Sequence, residues 1–231
     1  MLRRTAKENG LSLFFLAIFL AALIGQAIAG HAAYNDDEVT HAQLLDQTPE
    51  TLSFWRYVTT SSFAQAVMEN WQSEYLQFTI YILATIWLVQ KGSTESKALD
   101  KAGLESDADQ QVGKHILPKS PRWAKAGGSR RAIYSNSLLI VMATIFFASW
   151  FGQSVSGWSV YNAEQIEHEQ QGVSWLSYIG GADFWEATLQ NWQSEFLAVG
   201  SMVIFSVYLR QRGSSQSKPV GAPHEETAAE G

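Results

Sequence analysis

The sequence lacks cysteine and the motifs of the common enzyme classes. Without a Cys among its 231 residues, the chain can form neither disulfides nor thiolate metal sites, although this says nothing about its compartment. It contains no nucleophile elbow, Walker loop, zinc-protease motif or dinucleotide-binding fingerprint. We therefore expect a protein that is not an enzyme and that has no cofactor.

Basic residues are scarce and unevenly placed. The chain has 16 Lys and Arg against 22 Asp and Glu, which gives a net charge of -6. We expect no nucleic-acid partner for a chain with this charge. All the basic residues except Arg56 fall in three groups, within residues 3–7, 91–131 and 210–218.

The sequence contains a second copy of much of itself. The pentapeptide Asn-Trp-Gln-Ser-Glu at 70–74 returns unchanged at 191–195, at an offset of 121 residues. Further identities follow this offset from residue 53 onwards, and an offset of 127 applies up to residue 41. The first copy therefore carries six extra residues between these two positions. Such a duplication predicts two similar units in tandem.

Uncharged runs predict that the chain crosses a membrane. Two runs of about 20 residues, one in each copy, are long enough as helices to cross a hydrocarbon core of roughly 30 Å. A shorter run follows in each copy and reaches spanning length if its helix starts near the Trp of the pentapeptide. We predict an all-α membrane protein with four transmembrane helices from two parallel tandem repeats and with amphipathic outer segments. The predicted spans are about 11–30, 71–90, 132–152 and 192–210.

The first run also has the features of a secretory signal. Basic residues precede it, and Ala27 and Ala29 lie just before Gly30 in a small-x-small pattern. Ser154 and Ser156 show the same pattern in the middle of the chain, where no signal peptide can lie. We therefore expect the first span to be retained.

The basic groups also predict orientation and domain bounds. Because positive loops stay in the cytoplasm, we expect both termini and the central segment there, with the acidic segments outside. We expect repeat 1 at 1–97, a flexible linker at 98–131, repeat 2 at 132–218 and a disordered tail at 219–231. The lipid bilayer is the expected partner, and the acidic outer face is a candidate surface for a protein partner.

Two carboxylates are the main candidates for a functional site. Glu74 and Glu195 each follow, by three residues, a Trp expected at the membrane interface. A carboxylate at this depth costs about 2 to 3 kcal/mol unless it is paired, protonated or hydrated. The surrounding layer is either a cation or proton site or, as we favour, a structural network of interhelical hydrogen bonds. The predicted layer comprises Glu74, Glu195, Asn70, Asn191, Gln26 and Gln153.

Histidines near the outer ends of the spans are weaker candidates. Asp37 with His41, and Glu164 with His168, share a carboxylate-x-x-x-His spacing that places both groups on one helix face. Imidazole and carboxylate together suit a divalent metal, although such pairs are also common on solvated helices.

Aromatic residues at the same level are expected to anchor the chain at the interface. The predicted anchors are Trp71, Trp192, Tyr34 and Tyr161. Asn35 and Asn162, next to the two tyrosines, are interpreted as helix-ending or capping residues.

The repeated motifs resemble those of a bacterial family of membrane proteins, the domain of unknown function numbered 6766. They are Gly-Gln at 25–26, Tyr-Asn at 34–35, Ser-(Phe/Trp)-x-x-Tyr from 53, the pentapeptide at 70–74 and Gln-(Lys/Arg)-Gly-Ser-x-x-Ser-Lys from 90, with their counterparts in the second copy. The resemblance covers nearly the whole chain except the linker and tail. It implies a multi-pass protein of the bacterial inner membrane and no specific activity.

Two function classes follow from these observations. The first is a non-catalytic envelope, accessory or structural protein, whose acidic outer side meets lipids or a partner. The second is a small cation- or proton-handling protein that uses Glu74 and Glu195. We favour the first, because polar residues that join helices need no further role.

The split of basic residues predicts the topology. Reporter fusions after Gly92 and after Gly213 should both be active on the cytoplasmic side, while a fusion at Glu50 should be active on the opposite side. A fusion at Gly92 that reads as periplasmic would contradict two spans per repeat.

Overall fold

The protein is entirely helical over the residues that the structure describes. The structure is a computed structural model, and it describes residues 8–227. Within this range it contains seven α-helices and two short 3-10 turns, and no strand. The helices are α1 (Gly10–Leu44), α2 (Phe54–Tyr57), α3 (Ser61–Trp87), α4 (Gly128–Ser135), α5 (Ser137–Glu167), α6 (Trp175–Ile179) and α7 (Ala182–Tyr208). The all-α prediction is confirmed, while Arg3, Arg4 and Lys7, which support the predicted orientation, lie outside the described residues.

The two halves of the chain have the same order of helices. A long helix, a helix of one turn and a second long helix follow one another as α1, α2 and α3 in the first half. The same order occurs as α5, α6 and α7 in the second half. The segment between the halves holds the two 3-10 turns, Leu99–Lys101 and Gly113–His115, and the short helix α4.

The long helices extend well beyond the predicted spans. Helices α1 and α5 contain 35 and 31 residues, and they continue past their apolar runs to Leu44 and Glu167. Helices α3 and α7 contain 27 residues each and begin about ten residues before the predicted start of their spans. The outer segments, expected to be separate amphipathic pieces, are therefore mostly continuations of the long helices. Only α2 and α6 are separate.

Local signals explain where these helices begin and end. The Thr60 hydroxyl accepts a hydrogen bond of 3.3 Å from the Phe63 amide and caps the start of α3. Directly after the C-caps of α1 and α5, Asp46 and Glu169 adopt φ values of 56° and 57°. A left-handed residue at this position is a common way to end a helix.

Helix α3 lies at the centre of the molecule, packed along α5 and also against α7. Small residues allow the close approach of α3 and α5. A Cβ placed on Gly152 of α5 would lie 2.9 Å from Met68 Sδ of α3. Ser149 and Ser156, one turn away on either side of Gly152, are also buried. Small residues at such a contact permit dense packing between helix backbones.

An aromatic cluster joins α5 to α7 in the second half. Trp150 lies 5.6 Å from Phe146, 6.1 Å from Phe184 and 6.1 Å from Trp192, measured between ring centroids. Phe146 and Phe184 are buried. Stacked and tilted aromatic pairs at such distances add to the stabilisation that burial provides.

Helices α1 and α5 are the two described helices that are long and apolar enough to cross a membrane. Only 6% of the apolar window of α1 and 22% of that of α5 is buried within the chain. A core helix of a soluble protein would be mostly buried. That α3 and α7 also cross a membrane stays a prediction.

Each half has a tyrosine of its short helix packed onto a glycine of its first helix. The hydroxyl of Tyr57 occupies the position where a Cβ on Gly30 would lie, and Tyr178 lies in the same way against Gly157. Both tyrosines are buried. These contacts fix α2 and α6 against the helices that precede them.

We expect Gly157→Ala to lower the thermal stability of the protein. The new methyl group would overlap the Tyr178 hydroxyl, and overpacking of this kind costs about 1 to 3 kcal/mol. Gly200→Ala is the matched control, because Gly200 lies inside α7 with no atom within 4 Å of the new Cβ. The control should gain up to about 1 kcal/mol from helix propensity. Thermal unfolding in detergent, followed by circular dichroism, measures both, and equal melting temperatures would contradict the packing described.

Candidate functional site

The two candidate carboxylates lie on two different long helices. Glu74 lies on α3 and Glu195 on α7, two helices that pack together. Glu74 is exposed and Glu195 is half-buried. This placement is the central feature of the candidate site.

The two asparagines of the predicted layer bond within their own helices. Asn70 Nδ2 donates to the carbonyl of Ala66 at 2.8 Å, and Asn191 Nδ2 donates to that of Ala187 at 2.8 Å. Both acceptors lie four residues earlier in the same helix, so the geometry is local back-bonding. In the described residues these side chains make no hydrogen bond to Glu74 or Glu195.

The two glutamines of the layer have different surroundings. Gln26 lines a groove of about 830 Å³ between α1 and α3, together with Asn70 and Glu74. Gln153 is 1% exposed, and its Nε2 donates to Thr188 Oγ1 on α7 at 3.4 Å. Gln153 Oε1 has no hydrogen-bond partner among the described residues. The polar layer is thus divided between an open groove in the first half and a closed core in the second.

The walls of this groove are mainly apolar. Polar lining is confined to Gln26, Asn70, Glu74 and the Tyr75 side chain. The remaining lining residues are Phe15, Ile18, Phe19, Ala22, Leu23, Val67, Trp71 and Phe78. An apolar wall suits hydrocarbon chains and offers no series of polar groups along which water or ions would move.

A hydrogen bond between the halves involves a glutamine that was not among the sequence candidates. Trp192 Nε1 on α7 donates to Gln72 Oε1 on α3 at 2.7 Å. Gln72 is 0% exposed, whereas Gln193, its counterpart in the identical pentapeptide, is exposed. Identical sequence therefore does not mean identical surroundings. The pentapeptide repeat pointed to this region, but it could not show which glutamine is buried.

The two tryptophans of the pentapeptides also differ. Trp192, predicted to be an interfacial anchor, bonds to Gln72 inside the molecule. Trp71 packs against Phe19 of α1, with ring centroids 6.2 Å apart. The other predicted anchors, Tyr34 and Tyr161, pack in a tilted geometry against the tyrosines of the short helices, with ring centroids 5.7 and 5.5 Å apart.

Asn35 and Asn162 form the same clamp in both halves. Asn35 Oδ1 accepts from the Leu52 amide at 2.7 Å, and its Nδ2 donates to the Leu52 carbonyl at 2.9 Å. Asn162 makes the equivalent pair with Val173, at 2.8 and 3.0 Å. Neither asparagine ends a helix, since α1 and α5 continue beyond them, so that interpretation of the sequence is wrong.

A second donor completes each clamp. Trp158 Nε1 donates to the Val173 carbonyl at 2.7 Å, and His31 Nε2 lies 2.7 Å from the Leu52 carbonyl at the equivalent place. The residue after each clamped backbone, Ser53 or Ser174, is the N-cap of the short helix. The clamps therefore set the start of α2 and α6 and define a rigid outer cap, which comprises the clamps, α2, α6 and the adjoining outer ends of the long helices.

Burial raises the pKa of two tyrosines of this cap, Tyr57 and Tyr178. The Tyr178 side chain lies between α5 and α7, and burial raises its pKa to about 12, with a further contribution from nearby carboxylates. The pKa of Tyr57 is raised by burial as well. Neither phenol can act as a base near neutral pH, which leaves packing as the role that the geometry supports.

Three of the four metal candidates line one cleft between the outer ends of α1 and α5. The cleft, of about 730 Å³, is lined by Asp37, His41 and Glu164 among others, but His168 is not part of its lining. His41 Nδ1 lies 2.6 Å from Oε1 of Glu167 and so links the two helices. Among residues 8–227 no three His, Asp or Glu side chains are grouped as metal ligands.

The opposite ends of the helices carry a second repeated turn. The Gln90 amide donates to Ser96 Oγ at 2.8 Å, and the Gln211 amide donates to Ser217 Oγ at 2.8 Å. Within these turns Gly92 and Gly213 have φ values of 87° and 83°, which other residues rarely adopt.

The tail joins these two turns. Lys218, 1% exposed, donates to the carbonyls of Pro223, His224 and Glu226 at 3.2, 2.9 and 3.1 Å. The Gly92 amide donates to Thr227 Oγ1 at 2.9 Å. Ser93 and Ser206 share a buried hydrogen bond of 2.9 Å between the halves.

Comparison with known proteins identifies a family. The sequence model of the family described as domain of unknown function (DUF6766) matches residues 2–229. No curated protein and no solved structure matches the chain.

We expect Asn162→Ala to loosen the outer cap. It removes two side-chain hydrogen bonds to the Val173 backbone, which at about 1 kcal/mol each amount to a cost of about 2 kcal/mol. Asn191→Ala is the matched control, because it removes one back-bond within α7 and should cost much less. Hydrogen exchange at the Val173 amide, measured by mass spectrometry, should rise in the first variant alone. Equal protection in both variants would show that the clamp does not hold the cap.

Proposed function

The chain belongs to the family described as domain of unknown function (DUF6766), and we propose that it is a multi-pass protein of the bacterial inner membrane with a non-catalytic, structural or accessory role. In this role the four long helices cross the bilayer, and the outer cap forms a preformed surface for lipid headgroups or a protein partner. Both termini and the segment between the halves lie in the cytoplasm.

Exposed apolar side chains support the membrane location. Phe14, Phe15 and Ile24 on α1 are more than half exposed, as are Phe147 and Phe151 on α5. Contiguous apolar surface on this scale is unusual in water and is normal against lipid. Helices α3 and α7, at 27 residues and 1.5 Å per residue, are about 40 Å long, which suffices to cross a core of roughly 30 Å.

The charge distribution supports the orientation. The basic residues within 8–227, apart from Arg56, lie at the end of the helices that carries the glycine turns or in the segment between the halves. The outer cap instead carries Asp37, Glu38, Glu164 and Glu167 around its cleft. Positive residues on the cytoplasmic side and acidic residues outside are the usual arrangement in bacterial inner-membrane proteins.

The double clamp is the observation that carries the proposed role. Asn35 and Asn162 each satisfy both backbone groups of one residue in the outer segment, and each clamp receives a further donor. Satisfying part-buried backbone groups in this way stabilises irregular chain at the edge of a membrane. A surface held in one conformation before binding loses little entropy when a partner docks.

The placement of Glu74 and Glu195 on two packed helices favours a second candidate, a cation- or proton-handling protein. In the described residues neither carboxylate has a hydrogen-bonded side-chain partner that would hold it in a structural network. Two such groups in a thin polar layer could share a proton or attract a cation. The apolar walls of the groove beside Glu74 argue against this candidate, because they provide no polar path towards the other side.

Ion movement across liposomes distinguishes the two candidates. We expect the purified protein, reconstituted with a pH-sensitive dye inside, to dissipate an imposed pH or potassium gradient no faster than empty liposomes. Glu74→Gln with Glu195→Gln should give the same result, and so should the control Glu186→Gln, which lies on α7 outside the layer. Gradient loss in the wild type and the control, abolished by the double replacement, would establish the second candidate, because an amide cannot titrate.

A further inference from the structure

The two faces that meet in the contact between α3 and α5 have counterparts in the repeat, on α7 and α1, that stay exposed. On α3, Gln72 and Leu76 are 0% and 8% exposed, and Met68 packs onto Gly152 of α5. On α5, Ser149 and Ser156 are buried beside Gly152. The first half thus contributes its second long helix to this interface, and the second half contributes its first.

The matching face of α7 is open. At the offset of 121 residues, Met68, Gln72 and Leu76 correspond to Leu189, Gln193 and Leu197, which we name the α7 leucine face. Leu189 is 51% exposed and Leu197 is 71% exposed, and Gln193 is exposed as well. Within the described part of the chain, the second half therefore has no helix in the place that α5 takes beside the first half.

The matching face of α1 is open too. At the offset of 127 residues, Ser149, Gly152 and Ser156 correspond to Ala22, Gly25 and Ala29, which we name the α1 small-residue face. These three residues are exposed, and no atom lies within 4 Å of a Cβ placed on Gly25. Nothing in residues 8–227 covers Gly25 as Met68 covers Gly152.

We propose that two copies of the chain associate by packing the α7 leucine face of each copy onto the α1 small-residue face of the other. This inference goes beyond the proposed function, since it names the partner that covers these faces. Each open face corresponds, in the repeat, to one side of the interface that the chain already forms between α3 and α5. Because the contact joins two different faces, two copies that exchange it reciprocally close a ring of four halves and leave neither face open.

Two polar side chains favour a second copy of the chain, and not lipid, as the group that covers these faces. Gln72 Oε1 accepts from Trp192 Nε1, so within the chain the glutamine of the first half is paired with the tryptophan of the second. Their counterparts Gln193 and Trp71 are not paired in this way. Among the described residues, neither the Gln193 side-chain amide nor the Trp71 indole N–H makes a hydrogen bond. Docking in the proposed register places Gln193 of one copy next to Trp71 of the other. A hydrogen bond there satisfies two polar groups that lipid chains cannot.

The absence of cysteine from the chain makes the contact directly testable by disulfide cross-linking. Differently tagged copies carrying Gly25→Cys and Leu189→Cys are co-expressed, and membranes are oxidised. We expect a cross-linked dimer that contains both tags. The matched control pairs Leu189→Cys with Ala198→Cys, an exposed position of α7 that lies outside both faces, and should give no such product. Met68→Cys with Gly152→Cys in one chain should cross-link internally and shows that the oxidation works.

Two further measurements complete the test. One chain carrying both Gly25→Cys and Leu189→Cys reports whether the faces meet within a single copy. A monomeric, internally cross-linked product would overturn the proposal, as would the absence of any dimer while the internal control cross-links. Gly25→Leu should lower the dimer fraction in mild detergent at least tenfold by light scattering, whereas Ala198→Leu, at an exposed position of α7 outside both faces, should leave it unchanged. An equal dimer fraction in both leucine variants would also contradict the proposed contact.

Discussion

Helices α3 and α5 approach each other closely along most of their length, and the positions of the other elements depend on this contact. It is the most extensive contact between the halves, and it requires that Gly152 has no side chain where Met68 packs. Once α3 and α5 are joined, α7 is placed by the bond from Trp192 to Gln72 on one side and by the aromatic cluster around Trp150 on the other. A larger residue at 152 would therefore disturb more than one pair of helices.

The two ends of the molecule are held by different means. At the outer end, asparagine side chains hold the backbone, and tyrosines pack onto glycines, once in each half. At the other end, serine and glycine turns are joined by the tail, which accepts hydrogen bonds from the buried Lys218. The long helices between the ends present mostly apolar side chains. This division of polar and apolar contacts is what a bilayer requires of a protein that crosses it.

Much of the helical content could be predicted from the sequence, but the helix bounds could not. The apolar runs located α1 and α5, because a membrane-spanning helix has a distinct composition. The outer parts of these helices escaped detection, because their polar residues resemble a loop in composition while residues 31–44 contain neither Gly nor Pro to stop the helix. Glu74 and Glu195 were expected to belong to one layer, and they lie on two helices that pack together, α3 and α7. The burial of Gln72 and the exposure of Gln193 could not be foreseen, since identical pentapeptides acquire different neighbours only when the halves pack.

Because of the Asn clamps, the length of each outer loop does not determine where the helix that follows it is placed. The clamped residues are 17 positions apart in the first half and 11 in the second, so the six extra residues lie wholly inside a loop that the clamp closes. Closing the longer loop costs only about 0.4 kcal/mol more, because loop entropy grows with the logarithm of length. The segment between Leu44 and Leu52 can thus gain or lose residues while α2 stays where it is. This loop is a point on the outer surface where new sequence can be added without rebuilding the membrane part of the protein.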